Sequence, residues 1–283
     1  MRRHRSLPIA SIVVLSFAGM DLTVANAQAS VDKDGQRNSS SRRKSAQATG
    51  IQAFENLAAS LVRIRTATSV EIDRKNPLKL TVKYRFGTGF FAQIDGVVVT
   101  AAHNLRDRAK PPAEFQEIGV MSRDAQQYSP AVLMAEDLES DVALLRVNPR
   151  SFPAAVPLQW HDRPLPVAGT RVYALGIRGV APERDFELMM VAGETLDARD
   201  EIPRLLKDAK RSLLPWIAIS AFVLDGHSGG PVLDGDGEPV GLIVGSKEVQ
   251  GEWKDFSLCI SVARVSELMR NVKNKRTGGG RIN

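Results

Sequence analysis

Three residues of this 283-residue chain carry side chains that together can transfer an acyl group: His103, Asp141 and Ser228. A serine hydroxyl is a poor nucleophile at neutral pH and needs a base that takes its proton and returns it to the leaving group. Imidazole does this near its own pKa, and it needs a buried acceptor to hold its tautomer and stabilise the imidazolium. Ser228 lies in Gly226-His227-Ser228-Gly229-Gly230-Pro231, whose glycines allow a sharp bend and close approach of backbone to substrate. In that bend the N–H groups of Gly226 and Ser228 are placed to face a developing oxyanion.

The three residues are 38 and 87 positions apart (103 to 141, 141 to 228), so only a tertiary fold can join them. His103 follows the strongly β run Val97-Val98-Val99-Thr100, and Asp141 precedes Val142-Ala143-Leu144-Leu145. Both therefore sit at strand ends. Short apolar runs that read as strands recur along the chain: Leu80–Arg85, Thr88–Gln93, Val97–Ala101, Val132–Ala135, Val142–Val147, Val172–Leu175, Leu188–Val191, Trp216–Ile219, Pro231–Leu233, Val240–Val244 and Phe256–Ile260. Asp95-Gly96 and Asp234-Gly235-Asp236-Gly237 are hairpin signals. Many short strands with few helices predict an all-β antiparallel architecture, sandwich or barrel. Val262, Val265, Leu268, Met269 and Val272 fall at helical spacing, which predicts a closing helix over 262–273. The charged stretch 197–214 reads as a surface loop or short helix. Bordering a substrate cleft and being an insertion without consequence are equally open for it.

The amino-terminal end reads differently. Arg2, Arg3, His4 and Arg5 precede the apolar stretch Leu7 to Gly19 and the small-x-small site Ala25-Asn26-Ala27, so residues 1–27 read as an export signal. The apolar stretch is too short for a comfortable transmembrane helix, and no stable membrane insertion is expected after cleavage. Residues 28–50 are Ser-rich and basic, the composition of a disordered linker. From Ile51, with Phe54, Leu57 and Ala58 at helical spacing, a short helix leads into a strand at 61–65. Residues 274–283 read as a flexible tail. The net charge of +6 is mild and spread out, and no aromatic-interleaved basic platform marks a nucleic-acid partner. Cys259, the single cysteine, excludes an intramolecular disulfide and sits in an apolar run as a buried hydrophobe. His161 reads as a surface or structural histidine.

Gly87-Thr88-Gly89-Phe90, Thr100-Ala101-Ala102-His103, Asp141-Val142-Ala143-Leu144-Leu145 and the 226–231 run together resemble a trypsin-like (chymotrypsin-fold) serine protease, closest to the bacterial HtrA and glutamyl-endopeptidase groups. The order His, Asp, Ser is that of the chymotrypsin arrangement. The resemblance covers about residues 51–273. It implies two antiparallel six-stranded β-barrels, over about 51–150 and 151–261, with the active site between them and a C-terminal helix. His103, Asp141 and Ser228 would be the catalytic triad, and Gly226 and Ser228 the oxyanion hole. Such an enzyme is an endopeptidase acting on protein or peptide substrates, with no metal or organic cofactor, and the leader implies export to a periplasm or beyond.

Two departures qualify the resemblance. His227 stands where animal trypsin-like enzymes carry aspartate and the HtrA group usually asparagine, which removes the partner of the usual zymogen switch. Its side chain is expected either to hydrogen-bond within the loop or to gate the oxyanion hole. HtrA proteases also carry a C-terminal PDZ domain, and the expectation here is a protease domain without one. Counting back from Ser228 puts Phe222 and Val223 at the base of the primary specificity pocket, with Ile243, Val244 and Gly245 along its wall. No aspartate stands at that base and no histidine at position 243, so small or aliphatic P1 side chains are favoured. Two other readings are an inactive trypsin-like fold used for binding, and an esterase. The chain order and the lack of alternating helices disfavour an α/β-hydrolase.

Overall fold

The computed structural model describes residues 12–14, 56–73, 76–93, 95–106, 117–161, 163–180, 185–198, 202, 206, 213–248 and 255–278. Six strands close the first barrel: β2 (Leu61–Asp73), β3 (Asn76–Gln93), β4 (Val97–Ala101), β5 (Ile118–Ser122), β6 (Ser129–Asp137) and β7 (Val142–Val147), in the spatial order β2-β3-β4-β7-β6-β5. Six more form the second: β8 (Arg171–Val180), β9 (Asp185–Leu196), β10 (Trp216–Ile219), β11 (Pro231–Asp234), β12 (Pro239–Glu248) and β13 (Asp255–Ser261). Their order is β9-β10-β13-β12-β11-β8, and the β8–β9 pairing closes it. All these pairings are antiparallel, so the fold is the expected pair of six-stranded barrels.

Closure explains why the strands read as continuous apolar runs instead of clean alternation. One face of a strand fills the barrel interior and the other meets the second barrel or the closing helix, so both are buried. Val98, Phe91 and Leu145 lie in the core of the first barrel, whereas their neighbours Val99, Phe90 and Leu144 join a cluster with Leu175, Ile177 and Ile260 of the second. The second barrel has its own core, including Val191, Ile219, Val232, Ile243 and Cys259. Burial of Cys259 pushes its thiol pKa well up, so it behaves as a small hydrophobe.

Some bounds differ from the expected ones. β3 runs unbroken from Asn76 to Gln93 and includes the glycines that split it in the sequence. Gly87 and Gly89 are there because a Cβ would strike the Asn104 side chain at one position and the Val99 carbonyl at the other. β5, whose five residues include a glycine packed on Tyr128, was not among the expected strands. The closing helix α1 spans Val262–Gly278, five residues beyond 273. Both hairpin signals hold, with Gly96 and Gly237 at φ +85° and +81°. Residues 56–60 are helical, and the rest of the expected lead-in helix lies outside the described residues. So do the expected linker, the part of the expected tail beyond 278, most of 197–214 and most of the expected leader. Within the stretch expected to be a leader, β1 (Ile12–Val14) pairs antiparallel with Met189–Val191 of β9. Of 197–214, Ala198 and Ile202 are buried in the inter-barrel cluster, and Leu213 is exposed.

Helix α1 is tied to the first barrel by charge as well as by Val265. Arg264 donates to the Asp137 Oδ2 from Nε at 2.9 Å and Nη2 at 2.6 Å, and Nη1 reaches Glu267 at 2.7 Å. Burial works to raise the Asp137 pKa, but hydrogen bonds from Ser140 and Arg264 outweigh it and hold the carboxyl below its ordinary value. The stabilisation is therefore complete above the carboxylate range and is lost only as pH falls through the lowered pKa. Replacing Arg264→Met is expected to lower unfolding free energy by about 1–2 kcal/mol at neutral pH, measured by urea melts. An unchanged midpoint would mean that the helix docks through its apolar face alone.

Candidate active site

β4 ends at Ala101 and passes directly into a 3-10 turn, Ala102–Asn104, that carries His103. β4 pairs with β7 in register Ala101↔Val142, which brings the residue before β7, Asp141, alongside that turn. Asp141 has φ +63°, a left-handed conformation that aspartate tolerates better than most residues. The preceding turn is held by Asp137, whose carboxylate accepts from the Glu139 and Ser140 N–H groups and the Ser140 hydroxyl.

The Asp141 side chain is 2% exposed as a residue and accepts twice from His103: Oδ1 from the backbone N–H at 2.9 Å, and Oδ2 from the ring at Nδ1, 2.6 Å away. An acceptor-only carboxylate at Nδ1 selects the tautomer with its proton there, which leaves the Nε2 lone pair for a substrate proton. Two more bonds fix the backbone of this segment. The Ala102 N–H donates to Asp141 O at 3.0 Å, and Arg85 Nη1 donates to His103 O at 2.6 Å.

Ser228 comes from the loop before β11. Gly226 and Gly229 take φ +95° and +87°, and a Cβ on Gly229 would strike the Thr88 carbonyl and the Ala101 N–H. Inside the loop the His227 N–H donates to Leu224 O and the Gly230 N–H to His227 O, while the Gly229 N–H donates to Ile243 O of β12. The N–H groups of Gly226 and Ser228 have no hydrogen-bond partner among the described residues. Two free donors beside a serine hydroxyl are the arrangement that oxyanion stabilisation requires.

A cleft of about 410 Å³ is lined by His103 and Ser228 together with Gly226, Val223, Val244 and Gly245. Phe222 and Ile243 do not line it. Phe222 is half-buried beside it, and Ile243 is wholly buried in the second barrel's core. Ser228 Oγ donates to Val244 O at 3.5 Å, a long contact, and among the described residues it makes no hydrogen bond to His103. A catalytic serine often tightens onto its base only when substrate binds. Leu224 and Asp225 also line the cleft, as do Arg85, Phe86 and Asn104. None of these was singled out in the sequence; the adjacency of Asn104 to His103 was the one available signal.

His227 is fully buried. Its Nδ1 lies 3.1 Å from Leu224 O, which as an acceptor takes the ring N–H, and the ring fills the space where Gly176 lacks a Cβ. The hydrogen bond within the loop is thus the one seen. His161 is exposed.

A family model described as a trypsin-like peptidase domain matches residues 87–242. Among curated proteins, the chain is similar to serine protease HTR4 of Rattus norvegicus, 26% identical over 199 residues covering 66% of this chain and 34% of that one. It is also similar to serine protease HTRA4 of Homo sapiens, 27% identical over 157 residues, covering 55% and 29%. The chain thus spans about a third of the length of the curated relatives it matches. Among solved structures, the serine endoprotease of Yersinia pestis superposes with a TM-score of 0.54 at 18% identity, covering 78% of this chain and 65% of that one. At that identity it supports the fold alone.

Burial lowers the His227 pKa, the Leu224 carbonyl opposes this, and the charge of Arg178 adds to the lowering. A histidine that protonates more readily unfolded than folded leaves stability intact above the ordinary imidazole range and erodes it as pH falls below that range. Between about pH 7 and pH 5, stability of the native chain is therefore expected to fall more steeply than that of His227→Asn. Thermal melts across that range check it, and equal slopes would contradict it.

Proposed function

The chain belongs to the trypsin-like peptidase domain family, and from that premise we propose that it is an exported serine endopeptidase. Ser228 is its nucleophile, His103 its base, and Asp141 the group that orients the base. The observation that carries this reading is the His103 ring, backed by buried Asp141, opening onto the same cleft as Ser228. Ser228 Oγ attacks the scissile carbonyl carbon as its proton passes to His103 Nε2. The oxyanion forms against the N–H groups of Gly226 and Ser228, each such donor contributing about 3 kcal/mol to the transition state. His103 then protonates the leaving amine. Water, deprotonated by the same imidazole, releases the acyl group and regenerates Ser228.

Val223, Leu224, Val244 and Gly245 supply the apolar part of a cleft that Arg85, Asn104 and Asp225 also line, and that apolar part supports a preference for small or aliphatic P1 side chains. Export rests on the basic start, the apolar stretch and the Ala25-Asn26-Ala27 site. No helix among the described residues is long and apolar enough to cross a membrane. Cleavage after Ala27 would also remove β1 from β9.

A binding role without catalysis draws on one observation, the contact of Ser228 Oγ with Val244 O in place of His103. Peptide-library turnover separates the two. The native chain is expected to cleave after Val, Ala or Leu, and Ser228→Ala to remain folded with turnover reduced roughly 10⁴-fold or more. Cleavage confined to sites after Arg, Lys or Glu would overturn the pocket reading, and native-like turnover in Ser228→Ala would overturn the nucleophile.

A further inference from the structure

The two carbonyls that flank the catalytic turn are both held from the opposite barrel. Thr88, fully buried on β3, is the main contact. Its N–H donates to Ser228 O at 2.9 Å and its hydroxyl donates to Gly226 O at 2.6 Å. The same hydroxyl accepts the Ile177 N–H of β8 at 2.8 Å, so its donor and an acceptor site are both used. Asn104, 2% exposed, adds a second bond to Ser228 O from Nδ2 at 2.7 Å. Its other Nδ2 proton goes to Thr100 Oγ1 at 3.0 Å, and Thr100 in turn donates to Thr88 O at 2.7 Å. Gly87 lacks the Cβ that would displace Asn104.

A peptide plane has one orientation once its carbonyl is fixed. Pinning Gly226 O turns the next N–H, that of His227, towards Leu224 O, and pinning Ser228 O turns that of Gly229 towards Ile243 O. The Ser228 N–H lies on the plane between these two, whose His227 O accepts from the Gly230 N–H, and the Gly226 N–H lies one Cα before the pinned Gly226 carbonyl; neither N–H has a hydrogen-bond partner among the described residues. Because His227 offers no carboxylate to anchor this loop, another device has to hold it.

We propose that Thr88 and Asn104 are positioning residues, a neutral hydrogen-bonded latch through which the first barrel keeps the oxyanion loop of the second in its donor-out conformation. The latch rests on the endopeptidase reading for its consequence but not for its geometry. It also couples the loop to the turn that carries His103, since Asn104 is the next residue. Loop and base therefore share one support.

The test uses Thr88→Val, which keeps shape and removes the hydroxyl, Thr88→Ser, which restores it, and Asn104→Ala. Amide hydrogen exchange across 226–230 is expected to quicken at least about tenfold in Thr88→Val and Asn104→Ala, with β4 unchanged and Thr88→Ser like the native chain. In peptide cleavage, kcat is expected to fall roughly 10²-fold in Thr88→Val with KM within about threefold, and to recover in Thr88→Ser. If Thr88→Val does not fold, Asn104→Ala decides by the same exchange readout. Native exchange at 226–230 in the folded variants overturns the latch, even with peptidase activity intact. A native chain without peptidase activity rejects the endopeptidase reading instead, and the exchange result still decides the latch.

Discussion

A carboxylate removed from water has to be given hydrogen bonds or it will not stay ionised, and Asp141 takes two of them from His103. The rest of the first barrel can be read as the means of keeping that arrangement. The β4–β7 register sets the height of the two residues, the Asp137 turn delivers Asp141 in its left-handed conformation, and Arg85 holds the carbonyl of His103. Moving β4 by one residue would send His103 to the other face and leave Asp141 buried without its ring partner. The cost of losing those two bonds ties strand register to the geometry of the His103–Asp141 pair.

The second barrel contributes the Ser228 hydroxyl and the free N–H groups, but its loop does not stand alone. Apolar packing through Phe90, Val99, Leu144, Leu175 and Ile177 brings the barrels together without specifying angle. Directional bonds from Thr88 and Asn104 to the loop carbonyls supply the angle. Division of labour of this kind is common where two halves form one site: area gives affinity, and hydrogen bonds give orientation.

Much of this was legible in the residues. His103, Asp141 and the 226–231 run stood out because rare side chains sat at strand ends and on a glycine turn, and turn chemistry announced the β3–β4 and β11–β12 hairpins. The β5 strand was obscured because Gly119 interrupts a short run, and β3 was split because Gly87 and Gly89 look like breakers until their close neighbours are known. The wall of the cleft beside Ser228 was the hardest part to read. Counting places Ile243 beside Val244, but alternation along β12 sends Ile243 into the barrel core while Val244 faces the cleft. Thr88 and Asn104 carried no sign of their contacts, because partners 138 and 124 residues away are set by tertiary structure.

The central claim is that Ser228 is made nucleophilic by the His103–Asp141 pair. Mass-spectrometric mapping of the chain after treatment with a fluorophosphonate tests it most directly. The account predicts a single adduct on Ser228, formed far more slowly in His103→Ala. Absence of any adduct, or an adduct on another residue in a chain that still cleaves peptides, would contradict it.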